Sequence, residues 1–269
     1  MKPLSRNLKA LFIALFILLL SSSLSSQPIW IDQNQTFALE ILKPDFDGAN
    51  NTTLLTSTLF FSVRWPLAEE LIFVGELPFA HGELESPESS SEDKLGNPYL
   101  GLEIKSEDSR TFLELGLRLP IVSSSNFATF VGSYSDWDRF EAFTSDIVTI
   151  MGIVNFRQKN PSNFFLRLRG GPSILFDTEG EEDPILYTVF SGQLGHESEE
   201  FTIEGGLTGR LVVSGEGNLG ERTFLQLGIA ASVGLGQVRP GVHFRLPIED
   251  DLNEVIDFVL GFNLGFQIK

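Results

Sequence analysis

The sequence predicts an all-β fold, a transmembrane antiparallel up-and-down β-barrel of about 12 strands, and three observations lead to it. The first is the last stretch of chain. Phe258, Leu260, Phe262, Leu264, Phe266 and Ile268 share one parity; Val259, Gly261, Asn263, Gly265, Gln267 and Lys269 share the other. Successive side chains point to opposite faces of a strand, so one face is wholly apolar and the other small or polar, the pattern of a strand with lipid on one side. The second is the alternation of connections. Tight turns at Ala68-Glu69-Glu70, Glu107-Asp108-Ser109, Lys159-Asn160-Pro161-Ser162 and Glu197-Ser198-Glu199 alternate with longer polar segments at 44–52, 81–95, 120–143, 177–184, 215–221 and 248–255. Short turns on one rim and long loops on the other are the plan of outer-membrane barrels. The third is length: about 243 residues remain after an export signal, and roughly 20 residues per strand and connection give close to 12 strands, an even number.

Taken in order, residues 1–26 read as a secretory signal and 27–269 as one barrel domain. Lys2, Arg6 and Lys9 make a positive start, Ala10 to Leu20 an apolar core, and Ser21 to Ser26 a small-residue exit suited to cleavage near Ser25. Alternating apolar and polar residues place strands at 36–43, 53–65, 71–80, 97–106, 110–119, 144–157, 163–176, 185–196, 200–214, 222–235, 237–247 and 256–269. Several close on an Arg-x-Pro ending, as in Val63-Arg64-Trp65-Pro66, Leu117-Arg118-Leu119-Pro120 and Phe244-Arg245-Leu246-Pro247.

The alternation also assigns faces. Leu59, Phe61, Val63 and Trp65, then Leu113, Leu115, Leu117 and Leu119, then Phe164, Leu166 and Leu168, and finally Leu225, Leu227, Ile229 and Val233 are expected to face lipid. The lumen then receives Glu40, Arg64, Glu76, Glu103, Lys105, Glu114, Arg118, Arg157, Arg167, Arg169, Glu204, Arg210, Arg239, His243 and Arg245. A charge at mid-membrane on the lipid face costs about 2–4 kcal/mol, which enforces this segregation. The expected lumen holds nine bases against five acids, a positive interior that would favour anions, and Gln226→Arg is expected to be a mild lumen change beside a damaging Leu227→Arg.

Composition closes off other classes. The chain carries a net charge of −17, and loss of the three basic residues of the signal makes it more negative still, which opposes nucleic acid as a partner. With no cysteine there is neither a disulfide nor a lipidated cysteine. Past residue 26 no apolar run approaches the ~18 residues of a spanning helix.

Few residues suggest chemistry. The acidic stretches 82–93 and 177–183 read as solvated loops, with divalent-cation binding as the alternative. Asp136-Trp137-Asp138 reads as a structured loop anchored by its tryptophan rather than as a metal site. A lipid hydrolase would need a histidine beside a serine on an outward face. His81 is expected in a loop, His196 at a turn and His243 in the lumen, with no serine neighbour for any of them. No catalytic residue, cofactor or metal is expected.

Gly96-Asn-Pro-Tyr-Leu-Gly-Leu-Glu-Ile-Lys105, followed by Leu113-Glu-Leu-Gly-Leu-Arg-Leu-Pro120, resembles a hairpin of the transporter-like outer-membrane barrels associated with meta-pathway phenol degradation. Val238-Arg-Pro-Gly-Val-His-Phe-Arg-Leu-Pro247 with the final strand is similar as well. The resemblance implies twelve strands and a transport role, and it carries over no catalytic residue. The last aromatic residue is Phe266, three before Lys269, whereas many such barrels end on an aromatic residue that the insertion machinery reads. The expected function is passive passage of a small solute across the outer membrane of a Gram-negative bacterium. The expected partners are that solute, outer-membrane lipid and the insertion machinery at the C-terminal strand. A non-conducting scaffold presenting acidic loops is the alternative, and a lipid hydrolase a more remote one.

Overall fold

The computed structural model describes residues 37–46, 52–53, 55–84, 90–106, 110–180, 183–215, 218–220 and 222–267. The signal segment, the turn at 107–109 and the ends of several long loops lie outside the described residues. Twelve strands form the barrel: β1 (Phe37–Phe46), β2 (Ser57–Pro66), β3 (Leu71–Leu84), β5 (Tyr99–Lys105), β6 (Thr111–Arg118), β7 (Ile147–Lys159), β8 (Phe164–Asp177), β9 (Ile185–Glu197), β10 (Phe201–Val212), β11 (Thr223–Val233), β12 (Val238–Pro247) and β13 (Ile256–Phe266). Each pairs antiparallel with its neighbours, and β1 closes the ring on β13 from Phe37↔Phe266 to Asp45↔Phe258. Closure leaves no free edge among the barrel strands, the condition for strands to cross a bilayer. A short thirteenth strand, β4 (Ser90–Leu95), pairs only with the upper part of β3.

The faces follow the alternation. Phe61, Trp65, Leu115, Ile150, Leu168, Ile229 and Phe262 stand exposed on the outer wall, while the intervening residues Phe60, Arg64, Glu114, Met151, Arg169, Ala230 and Asn263 are buried inside. Such an apolar outer belt is unstable in water and places the barrel in a membrane. The tight turns and both barrel ends, Phe37 and Phe266, share one rim, which in bacterial barrels is the periplasmic one.

Two of the expected loops turn out to be structure. Segment 81–95 is a hairpin, because β3 runs on to Leu84 and β4 returns along it, with Phe79↔Leu95 and His81↔Asp93 in register. Segment 120–143 folds into the barrel instead of standing outside it. It holds helix α1 (Phe127–Ser135) and a 3-10 helix (Trp137–Ala142). A further short helix, α2 (Asp250–Asn253), sits between β12 and β13.

Local chemistry explains α1. Asn126 caps it, accepting from the Thr129 N–H at 2.9 Å while its own N–H reaches Thr129 Oγ1 at 2.7 Å. The Phe127 N–H donates to Glu92 Oε2 at 2.7 Å, which sets an acid from the hairpin on the positive end of the helix. Phe127, Phe130, Val131 and Tyr134 lie three and four residues apart, one face of a helix. Ala128, Val131, Ala142 and Phe143 pack against Leu42, Phe46, Phe60, Ala80, Ile256 and Val259 of the wall, the main apolar core of the protein.

Candidate functional site in the barrel lumen

The inward segment, called the plug below, seals the upper lumen through an ion-paired layer. Its hub is Arg139, where the 3-10 helix kinks (φ −132°, ψ 27°) and turns the guanidinium toward the wall. Arg139 Nη1 donates to Glu76 Oε2 at 2.7 Å, Nε to Asp136 Oδ2 at 2.6 Å, and Nη2 to Glu40. Its guanidinium also stacks 3.7 Å from the centre of the Phe60 ring. From the wall, Arg245 binds Glu40 Oε1 at 2.7 Å and Asp136 Oδ2 at 2.9 Å. Arg118 binds Glu76 Oε1 at 2.9 Å and the Asn97 carbonyl at 2.8 Å. Burial alone would raise the Asp136 pKa, but Arg139 and Arg245 outweigh it and hold this plug carboxyl well below the usual carboxylate range.

The other side of the plug is held as firmly. Arg169 reaches Asp138 Oδ2 at 3.3 Å and the Thr208 hydroxyl donates to Asp138 Oδ1 at 3.1 Å. Arg210 binds Glu141 at 3.0 Å and donates to the Asp138 carbonyl. Below this layer Tyr99 donates to Glu114 at 2.6 Å, and Arg64 pairs with Glu103. The cavity left between plug and wall near Tyr99, Arg118 and Met151 is about 10 Å³, room for a single water.

One wall residue clasps both ends of the plug. Asn97, fully buried, accepts from the N–H groups of Ile121 and Val122 at 2.8 Å each. It donates to the carbonyls of Glu141 at 3.0 Å and Thr144 at 2.7 Å. Two glycines permit the close fit. A Cβ on Gly96 would lie 2.4 Å from the Ala142 carbonyl, and one on Gly132 would lie 2.3 Å from the Phe143 ring. Asn97→Ala is therefore expected to leave four backbone groups without this partner, the Val122 N–H and Glu141 carbonyl in buried bonds at roughly 1–3 kcal/mol each. It should expose the plug to chymotrypsin at neutral pH while leaving the barrel resistant.

Toward the periplasmic rim the lumen opens into a vestibule of about 580 Å³, lined by Lys159, Glu197, Glu199, Gly234, Arg239 and Gln267 among others. Arg157 and Arg167 converge on Glu197, Arg167 also reaches Glu204 at 3.4 Å, and Arg239 donates to Thr202 Oγ1 at 2.9 Å.

Of the residues the alternation assigned inward, Glu40, Arg64, Glu76, Glu103, Glu114, Arg118, Arg169, Glu204, Arg210, His243 and Arg245 are buried within the barrel. Lys105, Arg157, Arg167 and Arg239 stand half-buried on the same face nearer the periplasmic rim. Glu40, Glu76, Arg118, Arg169, Arg210 and Arg245 meet on the plug, whereas Arg64 and Glu103 pair with each other and Glu197, which holds Arg157 and Arg167, borders the vestibule. Three acids of the plug, Asp136, Asp138 and Glu141, were not counted in the lumen, nor was its one base, Arg139; together they offset part of the positive wall. Asp136-Trp137-Asp138 is structured as expected: Trp137 packs on Phe140, Tyr134 and Phe224, and both carboxylates face arginines. Gln226 is not the open lumen position foreseen for it. It is buried beside Trp137, Asp138 and Arg210. The helical spacing of Phe127, Phe130, Val131 and Tyr134 was the available signal for the plug.

Fold and site together define an outer-membrane β-barrel of twelve strands with an inward-folded plug. Solved structures of outer-membrane barrels match the fold. The NanC porin aligns over 86% of this chain and 100% of its own at 8% identity, with a TM-score of 0.54. An outer membrane channel from Pseudomonas putida F1 aligns over 90% and 99% at 9% identity, TM-score 0.54. The translocator domain of the autotransporter NalP from Neisseria meningitidis aligns over 97% and 96% at 11% identity, TM-score 0.56. At such identities the likeness establishes the fold. No protein-family model and no curated protein matches the chain.

Proposed function

We propose that this protein is a passive outer-membrane channel for small solutes, exported after loss of residues 1–26 and closed in the present structure by its plug. The observation that carries the reading is a charge-lined lumen closed by a separate, non-strand segment, with a pocket of about 580 Å³ at its periplasmic rim. A barrel closed only by side chains of its strands would need no such separate segment in its lumen. Channels among its structural neighbours support the same reading. Passage through such a lumen needs no bond-making step, so no enzymatic role is assigned to it. The insertion machinery is expected to engage β13, the closing strand. The resemblance to barrels of meta-pathway phenol degradation makes small aromatic compounds the first solutes to test.

Conductance in planar bilayers tests the proposal. The intact protein should show a mostly closed baseline with infrequent openings, and a plug-released variant should conduct steadily. With the acids of the plug withdrawn, the inward bases of the wall outnumber its acids even with Glu197 counted, so the released pore should prefer anions across a KCl gradient. Cation preference would overturn the selectivity. The ion-paired contacts of the plug favour one second reading, a permanently closed scaffold, which predicts no current from either protein.

A further inference from the structure

The outer wall near the long-loop rim carries an arrangement unrelated to the lumen. His81 is not in a loop. It stands on the outward face of β3, in direct register with Ser57 of β2 on one side and Asp93 of β4 on the other. His81 Nδ1 lies 2.8 Å from Asp93 Oδ1. His81 Nε2 is shielded and has no hydrogen-bond partner among the described residues; the nearest acid, Glu83, lies 3.9 Å away and is itself held by Thr53 Oγ1 at 2.8 Å. Ser57 and His81 are directly opposed, and side chains so placed have Cβ atoms about 4.5–5.5 Å apart. The Ser57 hydroxyl donates to the Leu55 carbonyl at 2.9 Å, and catalysis would require a χ1 rotation that turns it toward Nε2. Lys43 donates to the carbonyls of Thr53 at 2.7 Å and Thr56 at 3.1 Å, which sets a cation beside Ser57 with one N–H still uncommitted.

The row next toward the membrane is apolar and follows the same register: Ile41↔Leu59↔Phe79↔Leu95. Ile41, Phe79 and Leu95 are exposed. A serine, a histidine oriented through Nδ1 and an acid thus sit one row above a surface that receives acyl chains.

We propose that this face is an ester-hydrolase site for membrane lipids, with Ser57 as nucleophile, His81 as general base and Asp93 as its positioning residue. Ser57 Oγ attacks the acyl carbonyl as His81 Nε2 takes its proton. Lys43 stabilises the oxyanion. The C–O bond to the lipid alcohol breaks, and that alcohol leaves with the proton from His81. Water, deprotonated by His81, then attacks the acyl-serine ester, releasing the fatty acid and restoring Ser57. Asp93 fixes the tautomer and supports the imidazolium.

The full chain is refolded into phospholipid vesicles and, separately, into vesicles containing lipopolysaccharide, the two arms distinguishing glycerophospholipid from glycolipid esters. Released fatty acid is quantified by mass spectrometry, and a fluorophosphonate probe reports the nucleophile. The expected result is release in at least one arm and a probe adduct on Ser57. Ser57→Ala should abolish both, and Asp93→Asn should lower the rate by about 10⁴-fold with the adduct site unchanged. Unaltered heat-dependent gel mobility controls for folding. Absence of release in both arms, or release that survives Ser57→Ala, overturns the proposal and leaves His81–Asp93 as a clasp of the β3–β4 hairpin. Because this site lies on the outer wall, its failure leaves the channel reading untouched.

Discussion

Arg139→Gln opens the barrel. The substitution removes the cation at the centre of the plug and leaves Glu40, Glu76 and Asp136 gathered with only Arg245 and Arg118 to compensate them. Stripping one partner from a buried ion pair costs about 3–5 kcal/mol, because the remaining charge stays buried without its counterion. Arg139 belongs to the plug, so the strand pairing that closes the ring is not touched, and the cost falls on docking alone. The expected readout is a shift from rare openings to steady conductance, with chymotrypsin cutting at Phe127, Phe130 and Tyr134. Gly132→Val disrupts the packing of the plug on itself, since its Cβ would lie 2.3 Å from the Phe143 ring, and should give the same phenotype. If both variants keep a closed baseline and a protected plug, the segment is a fixed part of the wall. Mild acid should not mimic them through Asp136. Its pKa is depressed on folding, so its contribution is present above the ordinary carboxylate pKa and is lost only as pH falls well below it. A closed state that persists at pH 5 is the expected result for that group.

The second large effect is on insertion. Leu166 lies on the outward parity of β8 beside the exposed Phe164 and Leu168, and Leu227 occupies the same kind of position on β11 beside Ile229. Leu227→Arg, mid-strand in β11, should cost about 2–4 kcal/mol, and Leu166→Arg, close to the periplasmic turn, less; both should reduce the folded, heat-modifiable fraction in lipid vesicles. Leu166→Phe keeps the apolar face and should insert normally, so the pair separates charge from bulk. Gln226→Arg, the mild neighbour that alternation alone suggested, cannot serve as the control. It would force a second guanidinium next to Arg210 under Trp137. Equal behaviour of Leu166→Arg and Leu166→Phe would place Leu166 away from lipid.

The membrane barrel was legible in the chain because its physics is periodic. Lipid outside and polar groups inside repeat every second residue, and a shift by one would bury charges in hydrocarbon. All twelve barrel strands therefore lie where alternation puts them, β8 from Phe164 to Asp177 and β13 from Ile256 to Phe266 among them. The inward parity of Arg64, Arg118, Arg210 and Arg245 follows from the same rule.

What those inward charges meet is not periodic. Glu40 pairs with Arg245, 205 positions away, and with Arg139, 99 positions away. Asn97 joins Val122 to Thr144 across a segment that composition marks as a loop. The row of Ser57, His81 and Asp93 exists only because β3 continues past the barrel rim and β4 returns beside it. Alternation along one strand determines which face a side chain takes. Partners across strands depend on register and on where a loop folds once the ring has closed, and those are properties of the whole chain at once.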